Sequence, residues 1–138
     1  MHVESGEPSI EVAQVEQSRS LNPGRWLFRW RVENKTEKAM RLLSVRVPHG
    51  KFKAEERRFL PPGKISVRDS FIFDMPVDCE EPPDTIIENA FLILLVDWQE
   101  NSWRFFVRLR IRVSQQGHPE TATESITVQR VGFSGVSN

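Results

Sequence analysis

Four arginines crowd one short stretch: Arg104, Arg108, Arg110 and Arg112 fall within nine positions. Ahead of them, from Asp69 to Glu100, stand nine acidic residues and no lysine or arginine. Arginine stacks on aromatic rings and pairs with carboxylates in a fixed fork. Such segregation points first to recognition, by charge and by stacking, and not to bond breaking. Five of the acids (Asp78, Glu80, Glu81, Asp84 and Glu88) lie in the proline-bearing stretch Pro76–Asn89. This stretch reads as a loop. Its length favours a role in docking a basic partner, although most charged loops are simply solvated.

Residues suited to catalysis are few. His2, His49 and His118 are scattered, at the start, at a turn and in the last polar stretch. No HExxH, glycine-rich phosphate loop or GxSxG occurs, and Gly132-Phe133-Ser134-Gly135 lacks the last motif's spacing. Cys79 sits beside Asp78, Glu80 and Glu81. These charges raise a thiol's pKa and hold back the thiolate. As the single cysteine, Cys79 also excludes an intramolecular disulfide and a cysteine-based zinc site. Asp69 and Asp97 each interrupt an apolar strand, and paired carboxylates can do acid–base work. A salt bridge from Asp97 to Arg104, and a bulge turning Asp69 outward, are the simpler readings. The expectation is a protein that is not an enzyme and holds no metal or cofactor. Asn34-Lys35-Thr36 has the form of an N-glycosylation sequon and reads equally as a polar turn between strands.

The elements that must position these residues follow a period of two, the signature of strands. Ile10–Val15 is a short first strand. Asn22-Pro23-Gly24-Arg25 makes a turn, and Trp26, Phe28, Trp30 and Val32 share one face of the second strand. Met40–Val47 is the third, with Leu43, Val45 and Val47 on one face and Leu42, Ser44 and Arg46 on the other. The charged Lys51–Leu60 reads as an edge strand, and Pro61-Pro62-Gly63-Lys64 as a type II turn. Ile65–Met75 follows. Ala90–Trp98 and Trp103–Val113 are the strongest strands, and Thr123–Val131 adds an eighth. No helical pattern of useful length occurs.

Seven to eight strands at this spacing, with no helix, predict an all-β antiparallel sandwich without a disulfide. In its order of strands, over roughly residues 9–113, the chain resembles an immunoglobulin-like sandwich. It lacks the cysteine pair and the tyrosine of antibody-type domains. The expected core is Trp26, Phe28, Trp30, Val45, Val67, Phe71, Leu92, Leu94, Phe105, Val107 and Leu109. The 138 residues are read as one domain, its core at about 9–113 and a tail or extra strand at 114–138.

The last two strong strands can be registered against each other. With Glu100-Asn101 as a tight connection, Trp98 faces Trp103, Val96 faces Phe105, Leu94 faces Val107 and Leu92 faces Leu109. All are apolar, so this is the core face, and a slip of one residue would mix the faces. The opposite face then gathers Phe91, Ile93, Leu95 and Phe106 within a rim of Arg104, Arg108, Arg110 and Arg112, with Leu42 and Arg46 beside them. A contiguous apolar patch rimmed by arginine is typical of protein interfaces.

Three readings compete for that face. It docks another protein or a second copy of the chain; it is covered by the chain's own Thr123–Val131, through Ile126 and Val128; or it binds an acidic polymer or a carbohydrate. Nineteen basic and nineteen acidic residues give zero net charge, which argues against a general binder of nucleic acid. The longest apolar run, Ala90–Val96, is far below the roughly 20 residues that span a bilayer. The expectation is a cytoplasmic protein, with secretion left open should a signal peptide have been removed.

Overall fold

Alternating apolar residues produce eight strands in the computed structural model, which describes residues 6–131. They are β1 (Ile10–Arg19), β2 (Arg25–Asn34), β3 (Met40–Pro48), β4 (Lys53–Ile65), β5 (Ser70–Asp78), β6 (Ile86–Trp98), β7 (Asn101–Val113) and β8 (Pro119–Val131). No helix occurs among the described residues. His2 and Gly132–Gly135 lie outside them.

All neighbouring strands are antiparallel, in one sheet of order β1-β2-β5-β4-β3-β6-β7-β8. The sheet curls until β1 meets β8, giving a nearly closed barrel. Two separate sheets were the expectation; instead β4, paired along β3, also meets β5 and joins the halves. The joins are uneven. β4 and β5 share the single pair Lys53–Asp78. Side chains bridge β1 and β8: Gln17 Nε2 donates to the Pro119 carbonyl at 2.7 Å, Thr121 Oγ1 to Gln14 Oε1 at 2.6 Å, and Thr123 Oγ1 to the Val12 carbonyl at 3.3 Å.

The interior follows the pattern. Trp26, Phe28, Trp30 and Val32 of β2 are 5% exposed or less, and Val45, Leu92, Leu94, Phe105, Val107 and Leu109 are buried with them. Each such side chain contributes about 1.5–3 kcal/mol relative to remaining in water. Two expected core residues depart. Val67 is exposed and Phe71 only half-buried. The expected strand Ile65–Met75 is broken by a turn, where the Asp69 amide donates to the Ser66 carbonyl at 3.0 Å and Arg68 takes a positive φ of 63°. Pro61–Lys64, expected as a turn, lies inside β4. There the ring of Phe71 covers Gly63, where a Cβ would meet ring atoms at 2.6 Å. Glycine is required by that close approach.

β4 is interior to the sheet, contrary to the edge strand expected. Phe52, just before it, is fully buried and meets Phe28 edge-on at 5.3 Å. Phe59 packs edge-on against Phe71 and Phe73 at 5.4 and 5.5 Å.

The sequon at the β2–β3 connection is a buried polar knot. Asn34 is fully buried, and its Nδ2 donates to the carbonyls of Lys38 (2.8 Å), Ile65 (3.1 Å) and Ser66 (3.3 Å). Its Oδ1 accepts from the Thr36 amide at 2.9 Å and lies 2.8 Å from the Thr36 hydroxyl. The nitrogen a glycan would need is therefore occupied, and buried polar groups demand such partners.

Candidate interaction face

The β6–β7 hairpin decides which side chains look outward. Its inner residues Leu92, Leu94, Val96, Phe105, Val107 and Leu109 are all 1% exposed or less. Alternation sends Phe91, Ile93 and Leu95 of β6, and Arg104, Phe106, Arg108 and Arg110 of β7, to the other side. The two-residue turn is Gln99-Glu100, both at positive φ (49° and 67°), as a type I′ hairpin requires. The observed pairs are Leu95–Arg104, Ile93–Phe106, Phe91–Arg108 and Leu94–Phe105. The expected register, with Glu100-Asn101 as the connection, is thus off by two residues. A slip of two leaves every face intact, so the composition of the outer face stands while its partners change. Asp97 faces Ser102 and accepts its hydroxyl at 2.8 Å; it does not meet Arg104. Trp98 and Trp103 still touch, edge-on at 6.1 Å.

Strand β3 completes the face with a twist. The register shifts at Leu43 against both neighbours, so Leu42 lies opposite Val96 and is fully buried. Leu42, expected on the outer face, belongs to the core, because the bulge adds one residue and inverts the alternation before it. After the bulge Ser44 and Arg46 lie opposite Leu95 and Ile93. Leu43 instead lines a surface groove with Leu60, Pro62 and Leu95, and Arg58 stands opposite Ser44. Cross-strand rows result: Arg58–Ser44–Leu95–Arg104 and Arg46–Ile93–Phe106.

The four apolar side chains shield one another. Ile93 is 9% exposed, Phe91, Leu95 and Phe106 are half-buried, and the rings of Phe91 and Phe106 meet edge-on at 6.5 Å. The bare apolar area is smaller than four open side chains would give. Strand β8 does not lie over the face. It pairs along β7 from Ser102–Val131 to Val113–Pro119 and extends the sheet, with Ile126 and Val128 packed against the core. Covering by the chain's own Thr123–Val131 is thereby corrected.

Charges separated in sequence meet in space. Arg108 Nε lies 3.7 Å from Glu124, Arg110 Nε 3.7 Å from Glu88, and Arg112 Nη2 3.6 Å from Asp84. Asp78, in the acidic stretch, pairs with Arg25 at 2.9 Å. Much of the stretch expected to dock a basic partner is therefore engaged within the chain. Arg46 and Arg104 have no acidic partner among the described residues. The outer face of β2 and β5 is unlike this one: Arg29 bonds Asp74 at 2.8 Å and Glu16 at 3.2 Å, with Leu27 and Ile72 as separate exposed side chains. Arg29 holds the Asp74 carboxyl below the usual carboxylate range, chiefly through that hydrogen bond.

The other candidate residues are dispersed. Asp69 is exposed in its turn, where its Oδ1 accepts the Ser70 amide at 2.8 Å. His49 Nδ1 accepts the Lys51 amide at 3.0 Å, and the ring of His118 rests 5.2 Å from that of Trp26. Cys79 is 6% exposed, and burial pushes its thiol pKa up, against a hydrogen bond from the Glu81 backbone that lowers it and with a smaller rise from the Glu81 charge. Among the described residues no three His, Cys, Asp or Glu side chains are grouped as a metal site. No described helix is long and apolar enough to cross a membrane. Sequence reasoning missed Leu43 and Leu60: Leu43 has its alternation reversed by the bulge, and Leu60, at 86% exposure, stands alone at the end of a charged run.

No protein-family model and no curated protein matches the chain. Among solved structures, it is similar to one described as "X-ray structure of Northeast Structural Genomics Consortium target SoR45", with 13% sequence identity, 92% of this chain and 87% of that chain covered, and a TM-score of 0.31.

Proposed function

We propose that this chain is a non-catalytic interaction module whose outer β3–β6–β7 face docks onto another protein or a second copy of itself. The observation that carries this reading is the pair of adjacent rows on that face. Leu95, Ile93, Phe91 and Phe106 form one apolar strip, and Arg46 and Arg104 beside it have no carboxylate among the described residues. An apolar centre with arginine at its margin is the composition enriched where proteins meet. The fold is proposed to be a relative of the immunoglobulin-like sandwich. Supporting this, β1-β2-β5 and β3-β6-β7 are neighbours in the order of that fold's two sheets.

The test is Phe106→Glu in the full chain, with folding checked by its urea midpoint. Sedimentation of the chain alone, and of the chain with partners isolated from its source cells, is compared with wild type. Loss of self-association or of partner binding supports the reading. Unchanged behaviour in both overturns it, because a buried charge at the centre of an interface costs several kcal/mol.

A further inference from the structure

Resting on that reading of the face, we propose its occupant: an acidic segment of another protein carrying a leucine- or phenylalanine-sized anchor. The anchor's seat is the groove between Leu43, Leu60 and Leu95, which the bulge of β3 creates by turning Leu43 outward. Ser44 lies at its floor, 8% exposed. Arginine predominates among the charges around this seat. In one row Arg58 and Arg104 flank Leu95 through Ser44, and in the next Arg46 stands opposite Ile93. Strands about 5 Å apart place Arg58 and Arg104 about 15 Å apart at the backbone, the reach of a short extended peptide. Glu56 is the acid at the groove, and it meets Arg58 at only 3.9 Å with both side chains well exposed. A carboxylate brought to Arg46 or Arg104 therefore displaces no existing partner, so charge complementarity selects an acidic ligand.

A second copy is a poorer fit. Three of the chain's own five acids in the 78–88 stretch, Asp78, Asp84 and Glu88, are engaged by Arg25, Arg112 and Arg110. A self-complementary contact would bring Arg46 and Arg104 towards their own images.

The experiment pans short random peptides displayed on phage against the full chain. The expected result is enrichment of peptides with Asp or Glu around one Leu, Ile or Phe. The double variant Arg46→Glu/Arg104→Glu should lose these and select lysine- and arginine-bearing peptides instead. A fluorescein-labelled enriched peptide should bind Leu95→Glu about tenfold or more weakly, the size of effect expected at a central anchor. Should Leu95→Glu fail to fold, Leu60→Ser, altered at an exposed position, serves in its place.

Peptides without an acidic bias, still lost on Phe106→Glu, overturn the acidic occupant and leave the interface reading standing. Failure to enrich any peptide, or enrichment that Phe106→Glu does not disturb, overturns the acidic occupant; the interface reading falls with it only if Phe106→Glu also leaves sedimentation unchanged. A dimer in sedimentation that Leu95→Glu dissolves makes a second copy the occupant. Tight binding of heparin or single-stranded DNA through the same arginines, with a steep salt dependence, makes it an acidic polymer. Either of these last results overturns the proposal.

Discussion

The indole Nε1 of Trp98, at the end of β6, donates to the hydroxyl of Thr36 at 3.1 Å, across 62 positions of chain. Both groups are buried. The same hydroxyl lies 2.8 Å from Asn34 Oδ1 and from the Lys38 carbonyl, so one side chain links the β2–β3 connection to the β6–β7 hairpin. Thr36→Val keeps the shape and removes the acceptor. It should cost about 1–3 kcal/mol, because the indole N–H is left unsatisfied in the interior. Urea denaturation measures this; a cost below about 0.5 kcal/mol would mean that water replaces the hydroxyl.

The bulge in β3 separates two adjacent leucines. Leu42→Ala should cost about 2–5 kcal/mol, since it opens a cavity in the core. Leu43→Ala, in the half-buried groove, should cost about 1 kcal/mol or less. Chemical denaturation of the two variants checks the pair, and a reversed order would place Leu43 inside and abolish the bulge.

These leucines also mark what the sequence discloses. Alternation made β2, β6 and β7 legible, because a side-chain period of two assigns faces without knowledge of partners. For that reason Leu94, Phe105 and Val107 fall in the core even under a register wrong by two residues. The bulge at Leu43 has no glycine or proline to announce it, so alternation alone puts Leu42 on the wrong face. β4 was obscured because Phe52 and Phe59 stand among charges and Pro61-Pro62-Gly63 imitates a turn. The real turn, at Ser66–Asp69, places Arg68 at positive φ with a residue type that gives no warning. On the candidate face, Phe91, Ile93, Leu95, Phe106 and the arginines of β7 were legible from alternation alone. The pairing of those arginines with Asp84, Glu88 and Glu124 depended on tertiary neighbours.

The hairpin turn stores strain. Gln99 and Glu100 occupy positive φ without being glycine or asparagine. Gln99→Asn with Glu100→Gly supplies the residues that a type I′ turn favours. The double variant should gain about 1 kcal/mol, read as a higher urea midpoint at unchanged slope. A loss would show that the turn is of another type.

Acid should weaken the β2–β5 pairing in a defined direction. The Asp74 carboxyl has a folded pKa below its ordinary value because Arg29 bonds the charged form. The stabilisation is therefore present above the ordinary carboxylate pKa, about 4. It is lost as pH falls through the lower folded value. Asp74→Asn should cost no more than about 1 kcal/mol at neutral pH, the pair being largely exposed. The gap between wild type and variant should close as pH is lowered in urea titrations; a gap that widens would assign the wrong sign.

Cys79 should be unreactive until the chain unfolds. It is buried, and burial raises its thiol pKa. Alkylation by iodoacetamide near neutral pH should be about tenfold or more slower in the native protein than in urea. Equal rates would place the thiol at the surface.

The uneven joins of the sheet have a dynamic consequence. β5 and β4 share one backbone pair, and β8 meets β1 through side chains such as Gln14 and Thr121. Divided along these two lines, the molecule consists of a three-stranded leaf, β1-β2-β5, and a five-stranded leaf, β4-β3-β6-β7-β8. Each leaf is well bonded internally, and they share a core. Amide protons along the two seams have few strand partners to protect them, so they should exchange with solvent by partial opening, ahead of global unfolding. The larger leaf carries Leu95, Phe106 and their arginines, so breathing along the seams leaves the docking platform whole.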